Sequence, residues 1–205
     1  MRHLKVALTA SCAALALIAI LGVGTASATE LWKSIDWWPD ETQGVNVKIQ
    51  ASLQLGTSAL LEEEGGKTID TCTGSELDLL IEESGASAST FVHPSGTFQK
   101  HNFTGCSHAT TVLSGGKWKI KSIGGANGSL ISENTEVTTK STVFGISCIY
   151  KSTGGSIGTF KGNELPGGTA TFEINGLLSG SPGCTSARWT AVYSVTNIPG
   201  LYARQ

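Results

Sequence analysis

Val45-Asn46-Val47-Lys48-Ile49-Gln50-Ala51-Ser52-Leu53-Gln54-Leu55 is the stretch that decides the fold class. Its apolar residues, Val45, Val47, Ile49, Ala51, Leu53 and Leu55, occupy every second position, with polar residues between them. Successive side chains of a strand point to opposite faces, so the pattern predicts a β-strand with one buried and one wet side. The same period recurs over residues 117–121, around Trp118 and Ile120, over residues 170–174 and over residues 188–195. Gly-rich segments at 64–67, 114–116, 124–128, 153–155 and 166–168 separate these runs and predict turns. An apolar i, i+3, i+4 pattern never persists, the short stretch 31–38 being the one helix candidate. The expected fold is all-β: an antiparallel Ig-like or jelly-roll-like sandwich or a partly closed barrel, with two disulfides.

The N-terminus fixes the compartment and so the meaning of the cysteines. Arg2, His3 and Lys5 precede an uncharged run over residues 6–24, and Ala26-Ser27-Ala28 follows, which reads as a secretory signal peptide cleaved after Ala28. The run is broken by Thr9, Ser11 and two glycines, so no transmembrane anchor is expected after cleavage, and Cys12 leaves with the signal. Removing 28 of the 205 residues leaves 177, enough for one well-buried domain. The chain divides into a signal peptide (1–28), a Trp-rich N-terminal segment (29–44) and a single β domain (45–205). Its expected location is extracellular, either released or held at the cell surface.

Cys72, Cys106, Cys148 and Cys184 remain, an even count in an oxidising compartment, and they read as disulfides. Four cysteines allow three connectivities; successive spacings of 34, 42 and 36 residues suggest two similar loops, which favours Cys72 with Cys106 and Cys148 with Cys184. A zinc site lacks its C-x-x-C pair. Fourteen basic and sixteen acidic side chains leave no basic cluster able to track a phosphate backbone, so nucleic acid is not an expected partner.

Catalytic candidates fall away on chain order. Gly154-Gly155-Ser156-Ile157-Gly158 matches a nucleophile elbow, which needs a strand-to-helix turn and a later acid and histidine; the last histidine is His108. His93, His101 and His108 offer imidazoles for a metal at a spacing that exposed loop histidines share. Glu62, Glu63 and Glu64 near Asp70 lack the D-x-D-x-D alternation of a calcium loop and read as a solvated hairpin tip. Glu133 and Glu136 carry no glycosidase motif, and Glu173, between Phe172 and Ile174, should face solvent. No catalytic residue, cofactor or metal is expected. Three of the five tryptophans, Trp32, Trp37 and Trp38, lie in one N-terminal segment. They mark either a binding edge, since indoles stack on sugars and anchor interfaces, or a plug that buries Trp32 and one of its neighbours against the open barrel.

Cys72-Thr73-Gly74-Ser75, the spaced Cys106 and Cys148, Gly158-Thr159 and Cys184 with Trp189 resemble small bacterial secreted β proteins related to the "protein activator of alkane oxidation" family. The resemblance spans about residues 45–196 and implies an extracellular domain of the cell surface or biofilm matrix, with no catalytic residue. The expected function is a non-catalytic surface or matrix component, or a module binding polysaccharide, cell envelope, protein or further copies of itself. A secreted hydrolase with another site, or a secreted toxin or inhibitor, is the alternative.

Overall fold

The computed structural model describes residues 28–35, 40–85, 92–140 and 147–205. Thirteen strands and no helix form among them. They are β1 (Glu30–Lys33), β2 (Glu41–Thr42), β3 (Lys48–Leu53), β4 (Ala59–Glu63), β5 (Thr68–Glu83), β6 (Ser95–Cys106), β7 (Ala109–Ser114), β8 (Lys117–Gly124), β9 (Asn127–Lys140), β10 (Ser147–Lys161), β11 (Thr171–Gly180), β12 (Ala187–Val195) and β13 (Leu201–Arg204). The order β10-β11-β12-β3-β5-β6-β8-β9 returns to β10 through a β9–β10 ladder, so eight antiparallel columns close into a barrel. β4 continues the column of β3 between β12 and β5, and β7 continues that of β8 against β9. The all-β expectation holds, and closure is complete where a sandwich or a partly closed barrel was expected. Closing the sheet removes most of the exposed strand edges that an open sheet presents.

The deciding stretch supplies β3, trimmed at both ends. Ile49 and Ala51 are buried, Val47 and Leu53 half-buried, while Val45 and Leu55 are 52% and 99% exposed. The chain turns away at Asn46, in the left-handed region with φ 64°, and again at Gly56, where Thr57 N–H closes onto the Gln54 carbonyl at 3.0 Å. Alternation elsewhere reads through directly: Trp118 and Ile120 on β8, Phe172 and Ile174 on β11, and Trp189, Ala191, Tyr193 and Val195 on β12 all enter the core.

Two of the glycine segments are not chain reversals. Thr153-Gly154-Gly155 lies inside β10, where its register against β9 shifts, so it is a bulge in a long strand. Ser114-Gly115-Gly116 steps the chain from β7 to β8 within one column. Gly116 sits at φ 71°, and a Cβ there would collide with the Glu133 carbonyl oxygen and the Thr135 nitrogen, so the step requires glycine. Beside it Ser132, Thr135 and Ser152, all buried, bond one another, and Thr135 Oγ1 donates to the Gly115 carbonyl at 2.6 Å.

The two barrel ends are closed by different means. At one end β1 pairs with β13 and with β2, placing Leu31, Leu201 and Ala203 in the core without exposure. Ala203 N–H donates to the Ala126 carbonyl at 2.9 Å, and the buried Thr29 hydroxyl accepts the Ser122 N–H at 2.8 Å. The helix candidate over 31–38 is therefore corrected over its first residues: Leu31 to Lys33 are strand, because β13 offers a complementary edge. At the other end both disulfides gather, Cys72 with Cys106 and Cys148 with Cys184. These two bonds are compatible with an extracellular protein. No helix among the described residues is long and apolar enough to cross a membrane.

Candidate functional site

The disulfide end holds the densest polar contacts. β5 leaves the turn at residues 64–66 with Asp70 and Cys72 facing inward, and Asp70 is only 2% exposed. Its Oδ1 accepts the backbone N–H of Thr71 at 2.8 Å, the N–H of His108 at 2.8 Å and the Ser107 hydroxyl at 2.7 Å; its Oδ2 accepts the Thr110 hydroxyl. Burial alone would raise the carboxyl's pKa, but these four donors outweigh it and hold the group below its ordinary range. Asp70 thus ties the Ser107-His108 link between β6 and β7 to β5, next to the Cys72–Cys106 bond. Of the acidic residues read as a solvated hairpin tip, Glu64 does occupy the exposed β4–β5 turn, while Asp70 lies apart from it as a buried tie.

Ser107, His108 and Asp70 carry the letters of a catalytic triad. In a working relay the imidazole stands between hydroxyl and carboxylate, one ring nitrogen to each. Here Ser107 Oγ donates straight to Asp70, and His108 Nδ1 faces both partners, 3.3 Å from Ser107 Oγ and 3.8 Å from Asp70 Oδ1. The serine proton is directed at the carboxylate, leaving the imidazole no base's role. Asp70 and the sulfurs of Cys72 and Cys106 lie within 4.8 Å of one another, yet both sulfurs are spent in the disulfide and provide no thiolate for a metal.

Above this tie the barrel interior is aromatic. His101 on β6 stacks on Trp189 of β12 with ring centroids 5.1 Å apart and lies 4.7 Å from Phe103; Trp189 meets Tyr193 edge-on at 6.2 Å. Gly176, paired with Trp189 across β11 and β12, lets Ile157 of β10 approach closely, since a Cβ there would collide with the Ile157 side chain. Tyr193 hydroxyl donates to Ser75 Oγ at 2.9 Å, which donates to the Asn102 carbonyl at 2.7 Å. His101 has no such outlet. Neither of its ring nitrogens, nor Trp189 Nε1, nor Thr139 Oγ1 has a partner among the described residues, though all are buried. Each such orphan costs about 1–3 kcal/mol, so the group is unusual in a packed interior. Burial pushes the His101 imidazole down to about 3, which keeps it neutral at physiological pH. A cavity of about 20 Å³ opens between these walls, lined by Leu61, Cys72, Phe103, Thr110, Val137 and Trp189.

The other residues singled out in the sequence are dispersed. His93 lies at the opposite end against Thr29, His101 is inside the barrel and His108 sits in the β6–β7 link, so the three imidazoles do not converge. Ser156 lies on the β10 bulge bonded to Ser129 Oγ at 2.8 Å, with no strand-to-helix turn. Glu173 faces outward as expected and pairs with Lys161 at 2.6 Å; Glu136 pairs with Lys151 at 2.8 Å. Trp32 is half-buried on β1, its Nε1 donating to Glu30 Oε2 at 3.1 Å and Arg204 lying 5.2 Å over its ring. The expected plug does enter the barrel end, but through Leu31: strand alternation turns Trp32 to the outer side. Trp37 and Trp38 lie outside the described residues. Comparison with protein-family models, with curated proteins and with solved structures finds no match to this chain. Its site is read from its own geometry.

Proposed function

We propose that the chain is a non-catalytic extracellular protein, secreted through its N-terminal leader, that serves at the bacterial cell surface or in the matrix as a module binding polysaccharide or protein. The observation that carries this reading is Trp32, an indole on the outer side of the sheet that caps the barrel, held in place by Glu30 and Arg204. A fixed aromatic face loses little freedom when it stacks on a sugar ring or docks on a partner. Trp37 and Trp38 follow it within six residues, which supports an aromatic edge rather than an isolated ring. The hydrolase alternative rests on Ser107, His108 and Asp70, whose hydrogen bonds tie the β6–β7 link to β5.

The test is a pull-down of the mature protein with cell envelope and with matrix polysaccharide, beside folded Trp32→Ala and Trp37→Ala/Trp38→Ala variants. Retention by the parent protein and its loss in either variant is expected. Retention that both variants keep, or none by the parent, overturns the aromatic-edge reading.

A further inference from the structure

We propose that the outer wall of the barrel carries a binding cleft for a neutral, hydroxyl-rich oligosaccharide, built across β5, β6, β8 and β9 beside the β10 bulge. The cleft is separate from the Trp32 edge, and neither reading depends on the other. Its volume is about 620 Å³, the size of a ligand pocket, and five charged side chains line it: Glu82, Glu83, Lys117, Lys119 and Glu133. Strand register lays the groups out in two rows. One runs through Glu83, Ser95, Lys119 and Ile131 on four neighbouring strands, and the next runs through Thr97, Lys117 and Glu133. Neighbouring strands stand about 4.8 Å apart, so the first row spans about 14 Å, room for a short run of sugar rings.

The cleft charges do not neutralise one another. Lys117 and Glu133 are direct register partners, as are Lys151 and Glu136, yet only the second couple meets, at 2.8 Å. Elsewhere on the wall Glu76, Asp78 and Glu173 each pair with a lysine, whereas among the described residues no ion pair includes any of the five cleft groups. Two of the carboxylates are held by hydroxyls instead. Ser95 Oγ donates to Glu83 Oε2 at 2.7 Å, and Thr97 Oγ1 donates to Glu82 Oε1 at 3.0 Å while accepting from Gln99 Nε2 at 2.9 Å. Glu133 is drawn aside toward the bulge, where a Cβ on Gly154 would stand 3.9 Å from its Cγ. A carboxylate accepts hydrogen bonds and an ammonium donates them. A hydroxyl does both, so a ligand with hydroxyls on successive atoms satisfies the two signs side by side without carrying charge. An anion is opposed by three carboxylates and a cation by two ammonium groups. Carboxylates already held in place lose little freedom on binding, and half-buried Ile131 offers an apolar patch to the face of a sugar ring.

The experiment uses the oxidised mature protein, with the backbone amide resonances of Lys117, Lys119 and Glu133 followed by NMR. It is titrated with cellohexaose and maltohexaose as neutral probes, an oligogalacturonate as the anionic probe and a glucosamine oligomer as the cationic one. At least one neutral probe is expected to shift these amides saturably and to bind more tightly than both charged oligomers. Glu83→Ala and Lys119→Ala, both at exposed positions, should each weaken that binding about 10-fold, while Trp32→Ala leaves it unchanged. Absence of a saturable shift with either neutral probe, or tighter binding of a charged oligomer, overturns the proposal. So does binding that Glu83→Ala and Lys119→Ala both leave intact; if Trp32→Ala abolishes it, the saccharide belongs to the cap edge.

Discussion

Replacing Asp70 separates its two contributions, acceptor and charge. In Asp70→Ala the His108 N–H loses its acceptor inside the fold, the Thr71 N–H keeps only its 3.2 Å bond to Ser107 Oγ, and the hydroxyls of Ser107 and Thr110 must turn elsewhere. A stranded amide costs about 1–3 kcal/mol and the three weakened or redirected donors add to it, so a loss of about 4 kcal/mol is expected, read as about 10 °C in Tm for a domain of this size. Asp70→Asn is milder. Its oxygen can keep the three donors now on Oδ1, and its amide can donate to a rotated Thr110 hydroxyl, so a loss of about 1–2 kcal/mol is expected at pH 7. The pH dependence has the opposite bias. Because the folded Asp70 pKa is depressed, its contribution is complete above the unfolded value near 4 and disappears as pH falls through the folded value. Asp70→Asn has no such group, so its deficit relative to the parent protein should shrink from pH 5 toward pH 2. Urea unfolding followed by tryptophan fluorescence, without reductant, measures both quantities. An Asp70→Ala variant within 1 kcal/mol of the parent, or an Asp70→Asn deficit constant with pH, refutes the reasoning.

Three further outcomes follow from burial and linkage. His101 is neutral in the fold with its pKa pushed down to about 3, so parental stability should fall as pH drops from about 6.5 toward 3, by up to about 1.4 kcal/mol per pH unit; His101→Phe should flatten that limb in the same urea assay. Leu31→Ala, at a fully buried position, should cost about 2–5 kcal/mol, whereas Trp32→Ala on the outer side should cost about 1 kcal/mol; thermal midpoints that rank the two the other way contradict the strand assignment. Breaking Cys148–Cys184 with paired serines frees a 36-residue separation and should lower stability by about 4 kcal/mol, checked by chemical unfolding of the oxidised double variant.

How much of this was legible in the sequence depends on whether a residue's role is local. The alternation in residues 45–55 is local, and it gave β3 correctly, but its outer members Val45 and Leu55 were miscounted because Asn46 and Gly56 end the strand through backbone conformations that hydropathy does not record. The disulfide connectivity was suggested by spacing because each pair closes a loop of similar size. Barrel closure was not legible, since it rests on the β9–β10 ladder meeting a strand order that no single segment encodes. The Asp70 tie was missed for the same reason. Its donors lie 37 to 40 residues downstream of the carboxylate, beyond any motif, apart from the adjacent Thr71. One signal was available: Asp70 falls at the inward position two residues before Cys72, and a carboxylate placed inward on a strand needs donors.

The asymmetry of the two ends connects fold to function. At the capped end, hydrophobic insertion of Leu31, Leu201 and Ala203 closes the barrel, and the strand that does this also turns Trp32 to the outer side. At the disulfide end, closure depends on covalent bonds and on one buried carboxylate, while the adjoining interior keeps four unpartnered polar atoms. A barrel selected for stability alone would have filled those positions with apolar side chains, because unpaired polar groups cost more than they return. Both cross-links act at this end, tying β5 to β6 and β10 to the segment that precedes β12. Replacing His101 with phenylalanine removes two of the four unpartnered atoms while keeping an aromatic ring against Trp189, so it should stabilise the protein at pH 7. Urea unfolding of that variant at pH 7 measures the gain, and a variant no more stable than the parent protein refutes the claim that these buried groups cost stability.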